Sequence, residues 1–233
     1  MSPPLSLAPI VVFDLDGTLA ETASDLIGTL NVILAREGLP PADVGRARDL
    51  IGAGAKAMLA RGFAAAGREL TPERLEALFR VFLAHYGAHL CESSFLFPGA
   101  AAALDRLAGA GYRLAVCTNK VEAHSVELLR ALGVADRFAA ICGRDTFPWF
   151  KPDPRHLTET IARAGGDPAR AVMVGDSRTD IVTAQAAGIP VVAVPFGYTD
   201  VPVEDLGPDL VIGHFDALFD AVQHLRTRTR SAA

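Results

Sequence analysis

At 233 residues, half of them apolar, the chain has material for one large domain, or for one domain carrying a smaller insert. Its formal net charge of −5 is modest and acidic, which excludes the strong basic footprint of a nucleic-acid or anionic-membrane partner. Three cysteines, Cys91, Cys117 and Cys142, form no Cys-x-x-Cys pair and are odd in number, so a reducing cytoplasm is expected and a disulfide framework is not.

Met1 to Pro9 lacks the basic region of a signal peptide, and no apolar stretch approaches the length of a membrane span. Ile10 to Phe13 is a short apolar run of the kind buried on both faces of a parallel sheet. Asp14 falls at its carboxyl end, where open α/β sheets bind ligands. Gly17 lets the backbone bend sharply, so that Asp14 and Asp16 surround a common point. On its own, Asp14-Leu15-Asp16-Gly17-Thr18 reads equally well as an acidic turn or as a piece of chemistry.

Thr22 or Ser24 caps a helix whose apolar positions Leu26, Ile27, Leu30, Ile33 and Leu34 recur at helical spacing, ending at Gly38. A short helix is predicted over Val44 to Leu50, and Gly52-Ala53-Gly54 leads into a third from Lys56 to Ala66. Thr71-Pro72 opens a fourth, with Leu75, Leu78, Phe79, Phe82, Leu83 and Tyr86 as its buried stripe. A simple strand-helix-strand crossover needs about 30 residues, yet the next strand begins near Tyr112. Residues 21–94 are therefore expected to form a helical cap domain inserted into a core made of residues 1–20 and 95–233.

Beyond Phe97, helices and strands alternate. Helices are predicted over Gly99 to Ala108, Glu122 to Leu132, a stretch following Lys151-Pro152-Asp153-Pro154 and ending at Ala164, a stretch ending at Ala187, and Phe215 to Leu225. Strands are predicted over Tyr112 to Cys117, Phe138 to Cys142, Ala171 to Val174, Val191 to Val194 and Leu210 to Ile212. Arg226, Arg228 and Arg230, alternating with threonines, read as a frayed, solvated tail. The alternation implies an α/β fold, a Rossmann-like parallel sheet with both faces covered.

Three of these strands end in polar residues: Asp14 and Asp16, Thr118 and Asn119, Asp176 and Asp180. A parallel sheet brings such ends to one edge, and the loop at Lys151 adds a cation. Clustered carboxylates repel one another unless something positive sits among them, and an all-oxygen set is what Mg²⁺ takes. A hard cation, a lysine and a hydroxyl donor together suit a phosphoryl group.

The segments Asp14-Leu15-Asp16-Gly17-Thr18-Leu19, Cys117-Thr118-Asn119-Lys120, Lys151-Pro152-Asp153-Pro154 and Gly175-Asp176-Ser177-Arg178-Thr179-Asp180 resemble the four ordered motifs of the haloacid dehalogenase superfamily. Phe97-Pro98-Gly99 and Ala187-Gly188-Ile189-Pro190 are similar to its phosphoglycolate phosphatase-like branch. The resemblance implies that Asp14 is a nucleophile forming an aspartyl phosphate and that Asp16 is the general acid and base. It implies Mg²⁺ held by the Asp14 carboxylate, the Asp16 backbone carbonyl and the Asp176 carboxylate, with Asp180 in support. Thr118, Asn119 and Gly17 would then bind the phosphoryl group, and Lys151 would offset charge on nucleophile and substrate.

The function so implied is a Mg²⁺-dependent phosphatase, monomeric or homodimeric, acting on a small phosphorylated metabolite, 2-phosphoglycolate before others. The alternatives are a sugar phosphomutase of the same fold, or a phosphatase for another sugar phosphate or a nucleotide. Glu21-Thr22 stands where family members often carry Asp-Ser, and Val121 where they often carry proline. Specificity is expected in the insert. There Gly52-Ala53-Gly54 with Lys56 and Arg61 nearby offers either a second anion site or a plain helix start. His85 and His89 have metal-pair spacing but no third ligand motif nearby, so zinc is not expected. The cysteines read as buried small hydrophobes.

Overall fold

The structure is a computed structural model and describes residues 7–42, 51, 54–199 and 201–231. In chain order, β1 (Ala8–Phe13) and β2 (Ala20–Glu21) are followed by α1 (Ala23–Arg36), α2 (Ala55–Ala65) and α3 (Pro72–Ala88). Then come β3 (Phe95–Leu96), α4 (Ala100–Gly109), β4 (Arg113–Cys117), α5 (Glu122–Ala131), β5 (Ala140–Cys142) and α6 (Pro154–Arg163). The last elements are β6 (Gly166–Gly175), α7 (Arg178–Ala186), β7 (Val191–Ala193), β8 (Leu210–Val211) and α8 (Leu218–Ser231). The helix predicted over Val44 to Leu50 and the Gly52-Ala53 pair lie outside the described residues.

Six strands form one parallel sheet in the order β5-β4-β1-β6-β7-β8, so the chain starts in the middle and winds outward both ways. The register decides what this edge can do. Phe13 lies opposite Val116 on one side and Val174 on the other, so the three central strands end at the same level. Pairing continues one step further, with Asp14 N–H donating to Val174 O at 2.9 Å and Thr118 N–H donating to Cys142 O at 3.0 Å. Residues two places past the register partners, Leu15, Thr118 and Asp176, therefore emerge side by side.

The alternation of side chains along each strand splits the core in two. Val11, Phe13, Val116, Val172 and Val174 face Leu104, Leu107, Leu128 and Val222, while Ile10, Val12, Ala115 and Met173 face Leu157, Ile161, Ile181 and Ala184. Residues buried on both faces need no polar side, which is why these strands read as continuous apolar runs.

A third cluster is separate. Leu26, Ile27, Leu30 and Ile33 of α1, Met58, Leu59 and Phe63 of α2, and Leu78, Phe79, Phe82 and Tyr86 of α3 bury one another, joined by Tyr198 from the loop beyond β7. Gly62 lets α2 approach α1 closely, since a Cβ there would lie 2.9 Å from Leu30 Cδ2. Thr71 caps α3, accepting Arg74 N–H at 3.2 Å, and Pro72 follows at the first turn as the sequence predicts.

Several local features differ from expectation. Ser24 lies inside α1, and Thr22 stands at its N-cap without a side-chain cap bond. The capping acceptor comes from far along the chain: the Tyr198 hydroxyl accepts Thr22 N–H at 2.6 Å and Ala23 N–H at 2.8 Å, and donates to Glu21 Oε1 at 2.7 Å. β2 and β3 pair antiparallel where the chain leaves for the helices and where it returns, a ribbon too short for any periodicity to announce. β6 begins at Gly166 rather than Ala171, because Gly166 pairs with Ala8 beyond an irregularity in the register. The expected frayed tail is helical instead: α8 runs to Ser231, and Arg226 lies against Tyr112, donating to its hydroxyl at 2.8 Å. Among the described residues, no helix is long and apolar enough to cross a membrane.

Candidate active site

Four sequence-predicted acids and the predicted lysine meet at the level strand ends. Lys151 Nζ donates to Asp14 Oδ1 at 2.8 Å and to Asp180 Oδ1 at 2.5 Å, and all three residues are buried. Carboxylate oxygens of Asp14, Asp176 and Asp180 lie within 4.8 Å of one another. Each acid is fixed by its surroundings. Asp176 accepts from Thr18 Oγ1 and from the Tyr198 backbone N–H, each at 2.6 Å. Asp180 closes a capping box at the start of α7, accepting Ser177 N–H at 3.1 Å and Ser177 Oγ–H at 2.6 Å.

Gly17 has a required conformation and a required lack of side chain. Its φ is +85°, and a Cβ would stand 2.5 Å from Asp176 Oδ2. Its N–H donates to Ala20 O at 2.9 Å, closing the turn that carries Asp16.

Burial and crowding set the protonation. Burial pushes Asp14 up to about 6; Lys151 opposes the rise, and Asp180 and Asp16 add to it. Asp176 is raised well above the carboxylate range by burial, then by Asp180 and Asp14. Lys151 is disfavoured as a cation by burial, but Asp14 and Asp180 outweigh this and hold it above the ordinary lysine range. One ammonium against three buried carboxylates leaves negative charge uncompensated. An all-oxygen set carrying that excess is what a hard divalent cation binds, so the residues present fit a metal.

Asp16 is set apart from that triad. Its two oxygens accept from Lys120 Nζ at 3.0 and 3.1 Å, and the same ammonium donates to the Tyr86 hydroxyl at 2.8 Å. Lys120 lies 4.3 Å from the centre of the Tyr86 ring, which joins this strand end to α3. Thr118 is buried beside the triad, and Asn119 donates from Nδ2 to Lys151 O at 3.0 Å. Asn119 Oδ1 is buried with no hydrogen-bond partner among the described residues.

Asp14, Asp16, Asp176, Thr118, Asn119, Lys120 and Lys151 line one cavity together with Leu26, Met58, Phe79, Phe82, Leu83 and Tyr86 from the helices; Asp180 is not part of that lining. Gly54, in the left-handed region at φ +88°, and Ala55 also reach it. Lys56, offered by the sequence as part of a second anion site, instead pairs with Glu76 at the surface, and Arg61 is absent from the lining. His85 and His89 stack on each other at 4.4 Å, with His89 bonded to Glu92 at 2.8 Å; they join no metal-binding group among the described residues. Burial pushes the Cys117 thiol up to about 12, the behaviour of a packed hydrophobe.

Residues that sequence reasoning did not single out are Thr18, Tyr86, Lys120, Arg144 and Tyr198. Lys120 had a signal, since it directly follows Thr118-Asn119 at a strand end. Tyr198 and Arg144 had none, because their partners are distant in sequence.

The sequence profile of the haloacid dehalogenase-like hydrolases matches residues 11–194. A phosphoglycolate phosphatase of Mesorhizobium japonicum is 54% identical over 210 residues, covering 90% of this chain and 92% of that one. A crystal structure described as a predicted phosphoglycolate phosphatase from Haemophilus somnus superposes with a TM-score of 0.84 at 31% identity, covering 93% of this chain and 99% of that one. The CbbY protein of Rhodobacter sphaeroides, crystallised with phosphate, superposes with a TM-score of 0.75 at 28% identity, covering 91% and 96%. The chain belongs to the haloacid dehalogenase-like hydrolases. Within them it is an enzyme of the phosphoglycolate phosphatase-like kind, a phosphoric monoester hydrolase.

Proposed function

We propose that the protein is a Mg²⁺-dependent phosphatase that hydrolyses a small phosphomonoester, 2-phosphoglycolate, through an aspartyl phosphate on Asp14. The observation that carries this reading is the buried triad of Asp14, Asp176 and Asp180 around Lys151, with Asp16 two residues from Asp14 but turned out of the triad toward Lys120. Two carboxylates so close in sequence and so different in surroundings suit two different tasks.

A carboxylate oxygen of Asp14 attacks phosphorus, and the bond to the ester oxygen breaks. Asp16 gives its proton to the departing alkoxide, which leaves as the alcohol. Asp16 then takes a proton from the water that attacks the aspartyl phosphate, and phosphate and free Asp14 result. Thr118, Asn119 and Lys151 hold the phosphoryl oxygens, and Gly17 permits the turn that brings both aspartates to one point. Asp14, Asp176 and the Asp16 backbone carbonyl would hold Mg²⁺, with Asp180 fixing Lys151 beside them; bound there, the ion supplies Lewis-acid stabilisation of charge on the phosphoryl group.

In this reading residues 21–94 serve as a cap over a core of residues 1–20 and 95–233, with β2 and β3 at the two crossings. The cap excludes water from the reacting phosphorus. The enzyme works on a soluble metabolite in the cytoplasm, where Cys117 and Cys142 stay reduced.

Phosphate release by purified protein tests the reading. Turnover of 2-phosphoglycolate is expected with Mg²⁺ and not in excess chelator, at a kcat/KM above that for sugar phosphates and nucleotides. Full activity in chelator removes the metal from the account, and faster hydrolysis of a sugar phosphate removes the substrate. A requirement for a bisphosphate activator, with phosphate returned to sugar, would replace the hydrolase by a phosphomutase.

A further inference from the structure

The cavity holds cations from one wall only. Lys151 is committed to Asp14 and Asp180, and Lys120 to Asp16 and Tyr86. His124 is held below the ordinary histidine range by burial and by Lys120, so it is neutral at pH 7. The side chains contributed by the helices are apolar apart from Tyr86, and among the described residues none of them carries a charge.

Arg144 is the exception. It follows β5, and its backbone N–H donates to Lys120 O at 2.9 Å, which seats it against the loop that carries Thr118 and Asn119. Its guanidinium lies 4.7 Å from the centre of the Phe150 ring and 5.7 Å from that of Phe79 in α3. Cation–π contact with two rings anchors the group there, and its N–H donors remain for hydrogen bonds. No described carboxylate pairs with it. Glu76, which senses its charge, is taken by Lys56.

A half-buried arginine anchored at a cavity, with no acid of its own among the described residues, is matched to an anion that arrives with the ligand. The phosphoryl group has its own partners at the strand ends. A second anionic group entering an otherwise apolar enclosure carries a large desolvation penalty unless a cation meets it. We infer that Arg144 is a specificity-determining residue that takes the carboxylate of the substrate and so selects a phosphorylated 2-hydroxy acid over neutral phosphomonoesters. This rests on the reading of the site as a phosphatase site, and it locates the specificity group in the core rather than in the helices.

The test compares kcat/KM for 2-phosphoglycolate with that for ethyl phosphate, which replaces the carboxylate by a methyl group, in wild type, Arg144→Gln and Arg144→Lys. The ratio does not depend on how much of a variant is active, so partial unfolding does not obscure it. Wild type is expected to favour 2-phosphoglycolate strongly. In Arg144→Gln the ratio should fall by about tenfold or more, with Arg144→Lys between the two because it keeps the charge and loses the planar fork. A residue that only latched Phe79 would lower both substrates alike and leave the ratio unmoved, which would overturn the assignment. Wild type that hydrolyses ethyl phosphate as well as 2-phosphoglycolate would instead overturn the substrate reading itself.

Discussion

On the sheet side of the cavity stand Asp14, Asp16 and Asp176, two lysines and an arginine, with Asp180 paired to Lys151; on the helix side stand Leu26, Met58, Phe79, Phe82 and Leu83. The sheet side is held by backbone register and by a set of hydrogen bonds and ion pairs, in which Asp176 and Asp180 each have two partner residues. The helix side is held by side-chain packing around the cluster that spans α1, α2 and α3, with surface ion pairs such as Lys56–Glu76 and Arg74–Glu37 at its edge. Charge therefore gathers on the sheet side of the cavity, and apolar enclosure comes from the helix side. Tyr198 and Lys120 are the ties between them: the first caps α1 from the core, and the second bridges Asp16 to Tyr86.

If this division is right, damage to the two sides should look different. Asp14→Asn is expected to abolish turnover, by about ten-thousandfold or more, while circular dichroism and the melting profile stay native; residual activity near wild type would break the assignment of chemistry to the sheet edge. Lys151→Met should also end turnover, and it should unfold more easily by about 3–5 kcal/mol, because Asp14 and Asp180 lose the cation that made their burial tolerable. Urea titration reads the difference, and an unchanged midpoint would contradict the role given to that ion pair.

On the other side, Phe82→Ala removes a side chain buried at the centre of the helical cluster, at about 3–5 kcal/mol. Hydrogen exchange should rise through α1, α2 and α3 before it rises in β1 and β6. Equal loss of protection in both would mean that the two regions unfold as one unit.

Acid should separate the groups that favour and oppose burial. Burial, then Lys151, holds His156 down at about 4 from an ordinary 6.5. The ring is neutral, its Nδ1 accepting Lys151 N–H at 3.2 Å and its Nε2 placed 3.1 Å from Gly143 O. The folded state binds fewer protons there than the unfolded chain, so this contribution, on the order of 3 kcal/mol, is present above pH 6.5 and lost as pH falls toward 4. Asp14 has the opposite sign: raised from 3.8 to about 6, it favours the folded state below 3.8, an advantage lost as pH rises through 6. Asp176 acts in the same sense as Asp14. In chelator, Asp14→Asn should therefore lose more stability than wild type between pH 7 and pH 5; parallel losses would show that the two contributions do not oppose each other.

The smallest effect concerns the tie between the regions. Tyr86→Phe removes one hydrogen bond to Lys120, about 1 kcal/mol, and should lower kcat several-fold with little change in melting temperature. No change in kcat would mean that Lys120 holds Asp16 without help from α3.

Much of the fold was legible because the signals are local. Ile10 to Phe13, Leu114 to Cys117 and Ala171 to Val174 are continuous apolar runs, and each is followed closely by polar residues. Thr71-Pro72 announces α3 with a cap and a first-turn proline, both of which are where they should be. The acids were legible for the same reason: they end strands, and strand ends share an edge. The β2–β3 ribbon was not legible, because two residues per strand carry no period. Nor was the helical state of the tail, where Arg226 is held by Tyr112, a residue 114 positions away.

By itself, then, the order of residues determined the α/β alternation, the length of the helical insertion, the acids Asp14, Asp16, Asp176 and Asp180, and the lysine that balances them. The tertiary structure decided which partner each of those groups has. Asp14 and Asp16 differ in surroundings because Asp14 is buried beside Asp180 and Lys151, whereas Asp16 pairs with Lys120 from another loop. Lys56 is spent on Glu76 while Arg144 keeps its charge for the cavity, because ion pairing depends on distance in space and on what else is within reach. Sequence spacing records neither.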